Sequence, residues 1–125
     1  MGKYVDGFVL VVPADKADEY KKMATMGRDS WTKHGALEYY ESKGDDLGQQ
    51  EMGNEKSRAF GEMAGAKDGE EVWFSFIVFK SKAHRDEVNA KVMEEMSQLA
   101  GKFPDPMPTD MTRMAYGGFT VEVEG

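Results

Sequence analysis

Two segments of this chain, Tyr4 to Val12 and Val72 to Phe79, are apolar at odd and even positions alike. In the first, Val5, Val9 and Val11 alternate with Phe8, Leu10 and Val12; the second reads Val-Trp-Phe-Ser-Phe-Ile-Val-Phe. Successive side chains of a strand point to opposite faces, so a strand apolar on both parities is covered on both. The two segments are therefore expected at the centre of a sheet. Two further strands, Ala36 to Ser42 and Arg113 to Val123, are more mixed and are expected at its edges. Gly117-Gly118 inside the last marks a bulge or a close approach.

Between the first two strands Ala17, Tyr20, Ala24, Gly27 and Trp31 recur at steps of three and four, which predicts a helix from about Asp15 to His34. Asp15 is its expected N-cap, and Gly35 the left-handed residue after its end. A second helix is expected from Ser81, its cap, to about Ala100, with the seam Arg85, Val88, Val92, Met96, Leu99. Between Glu41 and Glu71 nine acids face four bases, so this connection holds most of the net charge of −7. It reads as a solvated excursion with one short helix pinned by Phe60. Lys102 to Asp110, with Pro104, Pro106 and Pro108, reads as an extended loop; its proline spacing also suits a polyproline ligand, the rarer explanation.

The order β-α-β-β-α-β predicts an α+β fold of the ferredoxin-like type: one domain over 1–125, an antiparallel sheet and two helices on one face. The other face is then apolar and bare, which predicts a homodimer with its two sheets face to face, a dimeric α+β barrel. Hydrophobic residues make up 40% of the 125, enough for a core. The acidic balance, without a basic stripe, argues against nucleic acid. No apolar run is long enough to span a membrane, an acid and a glycine interrupt what would have to be a signal-peptide core, and the expected location is the cytoplasm. Cysteine is absent, which excludes disulfides and thiolate chemistry. No Walker loop, dinucleotide fingerprint, nucleophile elbow or zinc motif is present, and neither a cofactor nor a metal is expected.

Several residues are candidates for a site. Asp6 is a carboxylate inside an apolar strand, where it either acts as a base or proton acceptor of perturbed pKa or is held by a partner, Arg113 on the neighbouring strand or Arg85. Arg85, with Asn89 one turn on, lies on the buried seam and either pairs with an internal acid such as Asp6 or Glu38 or binds a substrate carboxylate. His34 is a pocket base or ligand, or, more commonly, a helix-end histidine favoured by the dipole. His84 is the other histidine, and His34 with Glu38 or His84 makes at most a weak metal set. Trp31, Tyr39, Tyr40, Trp73 and Tyr116 suggest an aromatic interior that suits a flat ligand, although ordinary packing is the commoner reason for such residues.

The blocks Tyr4-Val5-Asp6-Gly7-Phe8, His34-Gly35-Ala36-Leu37-Glu38-Tyr39, Phe74-Ser75, Ser81-Lys82-Ala83-His84-Arg85-Asp86 with Asn89-Ala90-Lys91-Val92-Met93, and Arg113-Met114 with Tyr116-Gly117-Gly118-Phe119 resemble the small YbaA-like bacterial family of unknown function. The stretch Leu47 to Lys56 departs from it, with Gly48-Gln49-Gln50-Glu51-Met52-Gly53 where many relatives carry a proline-aspartate-glycine turn. That family is similar to the dimeric α+β-barrel superfamily, which includes cofactor-independent monooxygenases of antibiotic biosynthesis, haem-degrading enzymes and muconolactone-isomerase-like proteins. The resemblance implies the fold and the dimer, and leaves the reaction open. The expected function is binding of a small hydrophobic or aromatic carbonyl compound, with oxygenase- or isomerase-like chemistry. The expected binding residues are Asp6, His34, Tyr40, Trp73, Ser75, His84, Arg85, Asn89, Arg113 and Tyr116. The alternatives are a non-catalytic stress-related or scaffolding dimer and, third, a haem-binding protein with His34 or His84 as axial ligand.

Overall fold

The computed structural model describes residues 2–104 and 106–125; Met1 and Asp105, the latter inside the proline-spaced stretch, lie outside it. The elements follow as β1 (Tyr4–Pro13), α1 (Ala17–Lys33), β2 (Glu38–Lys43), β3 (Glu51–Met52), β4 (Glu55–Lys56), α2 (Phe60–Ala64), β5 (Glu70–Phe79), α3 (Lys82–Gln98) and β6 (Ala115–Thr120). The architecture is α+β: one antiparallel four-stranded sheet in the order β2-β5-β1-β6, a small β3-β4 hairpin and three helices. The doubly apolar segments are indeed the inner strands. They pair without a break from Tyr4↔Phe79 to Pro13↔Glu70.

One face of the sheet carries the core. Tyr4, Ile77 and Phe79 pack with Val88 and Val92 of α3, and Leu10, Val12 and Trp73 pack with Tyr20 of α1. Both long helices therefore cover the same face. Ser81 caps α3 as expected, its Oγ accepting from the His84 amide at 3.1 Å. The expected cap at Asp15 does not form: Ala14–Lys16 is a 3-10 turn, and α1 starts at Ala17 without a side-chain cap. Pro13 fixes the backbone at the start of that turn, and Asp15 is drawn into it. Gly35 follows α1 with φ at 115°.

The register of β6 on β1 runs on through Gly7↔Gly117 and Asp6↔Gly118, so the glycine pair is not a bulge. It is a close approach. A Cβ on Gly118 would collide with the ring and hydroxyl of Tyr4, which lean across β6 at this point.

The opposite face is partly covered. Phe60 of α2 stands edge-on to Phe74, with ring centroids 6.5 Å apart, and so roofs one end. Elsewhere Tyr40, Phe74 and Phe119 remain 48%, 43% and 61% exposed around Val5, Gly7, Val9 and Phe76. Tyr40 is thus not part of the interior; its parity on β2 turns it away from the helices, onto this face.

Arg113 does not reach Asp6. Its guanidinium donates to both Glu70 oxygens at 2.6 and 2.7 Å and to the Gly65 carbonyl at 2.8 Å, which ties the entry of β6 to the α2–β5 connection. This clamp is the chief reason the Glu70 carboxyl is held down at about 2, against an ordinary 4.5. A pKa depressed by folding adds stability that is complete above the unfolded value and is lost as pH falls towards the folded one. Glu70→Gln is accordingly expected to flatten the acid-unfolding curve, followed by circular dichroism, between pH 4.5 and about 2. A curve identical to that of the parent would refute this role.

Candidate functional site

Asp6, Arg85, Asn89 and Tyr116, all candidates from the sequence, come together. Asp6 on β1 is 1% exposed and points into the helix-covered face. Arg85 Nη1 donates to its Oδ1 at 2.6 Å, while Tyr116 OH and Asn89 Nδ2 donate to Oδ2 at 3.1 and 3.3 Å. Arg85 also donates to Asp86 at 2.7 Å and lies over the Tyr4 ring, 4.9 Å from its centroid. Asn89 Oδ1 accepts from Trp31 Nε1 at 2.9 Å. Burial and the Asp6 charge raise the Tyr116 pKa, so the phenol stays a donor. The buried carboxylate is thus satisfied by three groups from two elements, and the guanidinium by two carboxylates. Such a network closes on itself and holds α1, α3, β1 and β6 together.

The histidines are elsewhere. His34 ends α1, with a buried Nε2 that makes no hydrogen bond and lies 3.5 Å from Glu95 Oε1. His84 Nδ1 accepts from the Lys80 amide at 3.0 Å, a local contact at the start of α3. Among the described residues no three His, Asp or Glu side chains converge as a metal site. Trp73 is buried against Tyr20, with centroids 4.9 Å apart.

Only Ser75 of the ten expected binding residues lines the apolar cavity beneath α1. This space, about 230 Å³, lies between α1 and the sheet. Phe8, Leu10 and Ile77 form its floor, Tyr20, Met23 and Trp31 its helical wall, and Phe103, Met107 and Met111 its cover. The cover is fastened by Thr109, whose hydroxyl donates to the Val11 carbonyl at 2.6 Å where β6 has ceased to pair with β1. Pro108 is fully buried there, which removes it from any polyproline-ligand role.

Glu41, which no sequence pattern singles out, is the one charged lining residue. It sits on β2 opposite Ser75 of β5 and shares the helix-facing parity of Tyr39. Tyr20 OH donates to Oε1 at 2.7 Å and Tyr39 OH to Oε2 at 2.6 Å; Ser75 Oγ also donates to Oε1. Burial first, and the Glu41 charge second, raise both tyrosine pKa values, so both phenols remain protonated donors. Gly27 makes this arrangement possible. A Cβ there would stand 2.9 Å from Tyr39 OH, so only glycine lets the phenol tuck under the helix. Neither His34 nor His84 lines this cavity or the open aromatic face.

The chain is therefore an α+β protein with a four-stranded antiparallel sheet and, under its first helix, an apolar cavity whose lining includes one hydroxyl-bound carboxylate. It belongs to the family described as "Protein of unknown function (DUF1428)", whose model matches residues 3–111. It is 40% identical over 117 residues, 94% of either chain, to the protein titled "Uncharacterized protein YbaA" of Escherichia coli (strain K12), and equally to its counterpart in Shigella flexneri.

Proposed function

We propose that this protein is a homodimer of ferredoxin-like α+β-barrel type that binds a small hydrophobic or aromatic molecule in the cavity of each subunit. The cavity carries the reading. It is apolar on nearly every side, has a single polar corner at Glu41, Tyr20, Tyr39 and Ser75, and exceeds the roughly 150 Å³ that suffices for a benzene-sized guest. The strand order and the shared helix face support the fold type. The aromatic strip left by α2 supports the dimer: it has no charged residue among Val5, Gly7, Val9, Phe74, Phe76, Ala115, Gly117 and Phe119. A second copy of the same strip matches it in polarity. If the protein is an enzyme of the oxygenase or isomerase kind, Glu41 is the proton acceptor that touches the cavity, in place of Asp6 or His34.

A thermal-shift screen of small aromatic compounds tests this. Saturating ligand, at about 100-fold over Kd, is expected to raise Tm by roughly 10 °C in the parent and by nothing in Ala24→Trp, which fills the cavity. A broad set without any hit, or hits that survive Ala24→Trp in a folded variant, would defeat the proposal. The second reading, a non-catalytic scaffolding dimer, is favoured by the closed pairing of Asp6 with Arg85, which leaves neither group free for chemistry. The haem reading is the weakest, because neither histidine opens on the cavity.

A further inference from the structure

We propose that the cavity selects an organic cation: a small hydrophobic amine whose protonated nitrogen is bound by Glu41. The inference rests on the reading of the cavity as a small-molecule site and names the chemical class of its ligand. Four observations carry it.

First, the lining holds one carboxylate and no cationic side chain. Among the described residues no ion pair involves Glu41: Lys43, its neighbour two residues along, is 3.8 Å from Glu71, and of the two cations in the neighbouring pocket that Glu41 also lines, Arg28 is 2.9 Å from Asp29 and Lys21 makes no ion pair with Glu41. Second, the hydroxyl protons of the lining are already engaged. Tyr20, Tyr39 and Ser75 all donate to Glu41, and Thr109 donates to Val11. A ligand carbonyl or carboxylate would find no free donor here, which turns the carbonyl expectation from the sequence towards its opposite. Third, acceptor capacity remains. An ionised carboxylate has about four lone-pair sites; Oε1 accepts two hydrogen bonds and Oε2 one, so Oε2 keeps a vacancy for a ligand N–H. Fourth, the walls beside that oxygen are aromatic. Trp31 and Tyr39 lie with centroids 6.1 Å apart, and Tyr20 completes the corner. Aromatic faces attract a cation, and a carboxylate in a poorly hydrated corner attracts it more strongly than it would in water.

The test compares three probes of one outline: phenethylammonium, neutral 2-phenylethanol and anionic phenylacetate, titrated into the whole protein and followed by tryptophan fluorescence and calorimetry. Phenethylammonium is expected to bind at least about tenfold more tightly than the alcohol, and phenylacetate most weakly. In Glu41→Gln, which keeps the size and loses the charge, the ammonium preference is expected to vanish while alcohol binding changes by less than about threefold. If the alcohol binds as well as the ammonium, or the preference persists in Glu41→Gln, the cation inference is overturned and the small-molecule cavity stands. If none of the three binds at millimolar concentration, the cavity reading falls and the inference with it. The comparison within the parent protein decides the matter even where Glu41→Gln does not fold.

Discussion

Asp6→Ala is expected to lower the stability of the folded chain by about 3 kcal/mol, read as a fall in Tm of roughly 10 °C. The cause is what the substitution leaves behind. The Arg85 side chain is 14% exposed, and without Asp6 its one remaining carboxylate is Asp86, which is itself largely solvated; the Tyr116 hydroxyl and the Tyr4 ring beside it carry no compensating charge. Asn89 Nδ2 and Tyr116 OH lose their acceptor in the same step. Removing one member of a buried pair costs more than the pair contributed, because the other charge stays in a poorly solvated place. The double variant Asp6→Ala with Arg85→Met is therefore expected to recover much of the loss, by removing that stranded charge. Equilibrium urea unfolding of the parent, both single variants and the double variant measures the coupling. A single-variant loss below about 1 kcal/mol would show that the network is not what holds these elements together.

The second large effect concerns assembly. Light scattering at micromolar concentration is expected to give the parent a mass about twice its 14.0 kDa, and Phe76→Glu the mass of one chain. Phe76 lies at the middle of the bare face, opposite Gly7 of β1 and Tyr40 of β2, with the Tyr40 ring 5.0 Å away between centroids. A two-fold interface places each residue twice, so one substitution buries two like charges near each other. The helix-covered core lies on the other side of the sheet, so the variant is expected to keep the far-ultraviolet dichroism of the parent. A parent mass of one chain would end the dimer proposal. So would a Phe76→Glu protein that stays paired.

Most of the fold was legible because parity is a local property. Val5, Val9 and Val11 on one side and Leu10 and Val12 on the other state, within one strand, that both faces are covered or bare of water. Ser81 was legible for a similar reason, since a cap and its amide are three residues apart. The β3-β4 hairpin was missed. Its strands are two residues each and, Met52 apart, charged, and its only signal is the Gly53-Asn54 pair at the turn, where Gly53 adopts φ of 69°. Asp15 misled because the cap preference says nothing about a 3-10 turn seeded by Pro13.

The site was harder to read than the fold. Asp6 and Arg85 stand out as charges on apolar stripes, and of the partners open to each the structure pairs them with one another; Arg113, the other candidate for Asp6, is taken by Glu70. Glu41 gave no such signal. On an edge strand, at the threshold of an acidic stretch, a glutamate looks solvated. What makes it unusual is contact with Tyr20 and Ser75, 21 and 34 residues away, and no periodicity within β2 encodes those. The usable hint was that Glu41 shares a parity with Tyr39, which the first helix needed as cover.

Five of the side chains around the cavity are methionines: Met23, Met96, Met107, Met111 and Met114. Thioether chains are unbranched and polarisable, and they change rotamer at little cost. Such a sleeve yields to the outline of whatever enters it. Sorting by contour is therefore poor, and discrimination between guests of different girth falls to the one anchored mark, the oxygen pair of Glu41.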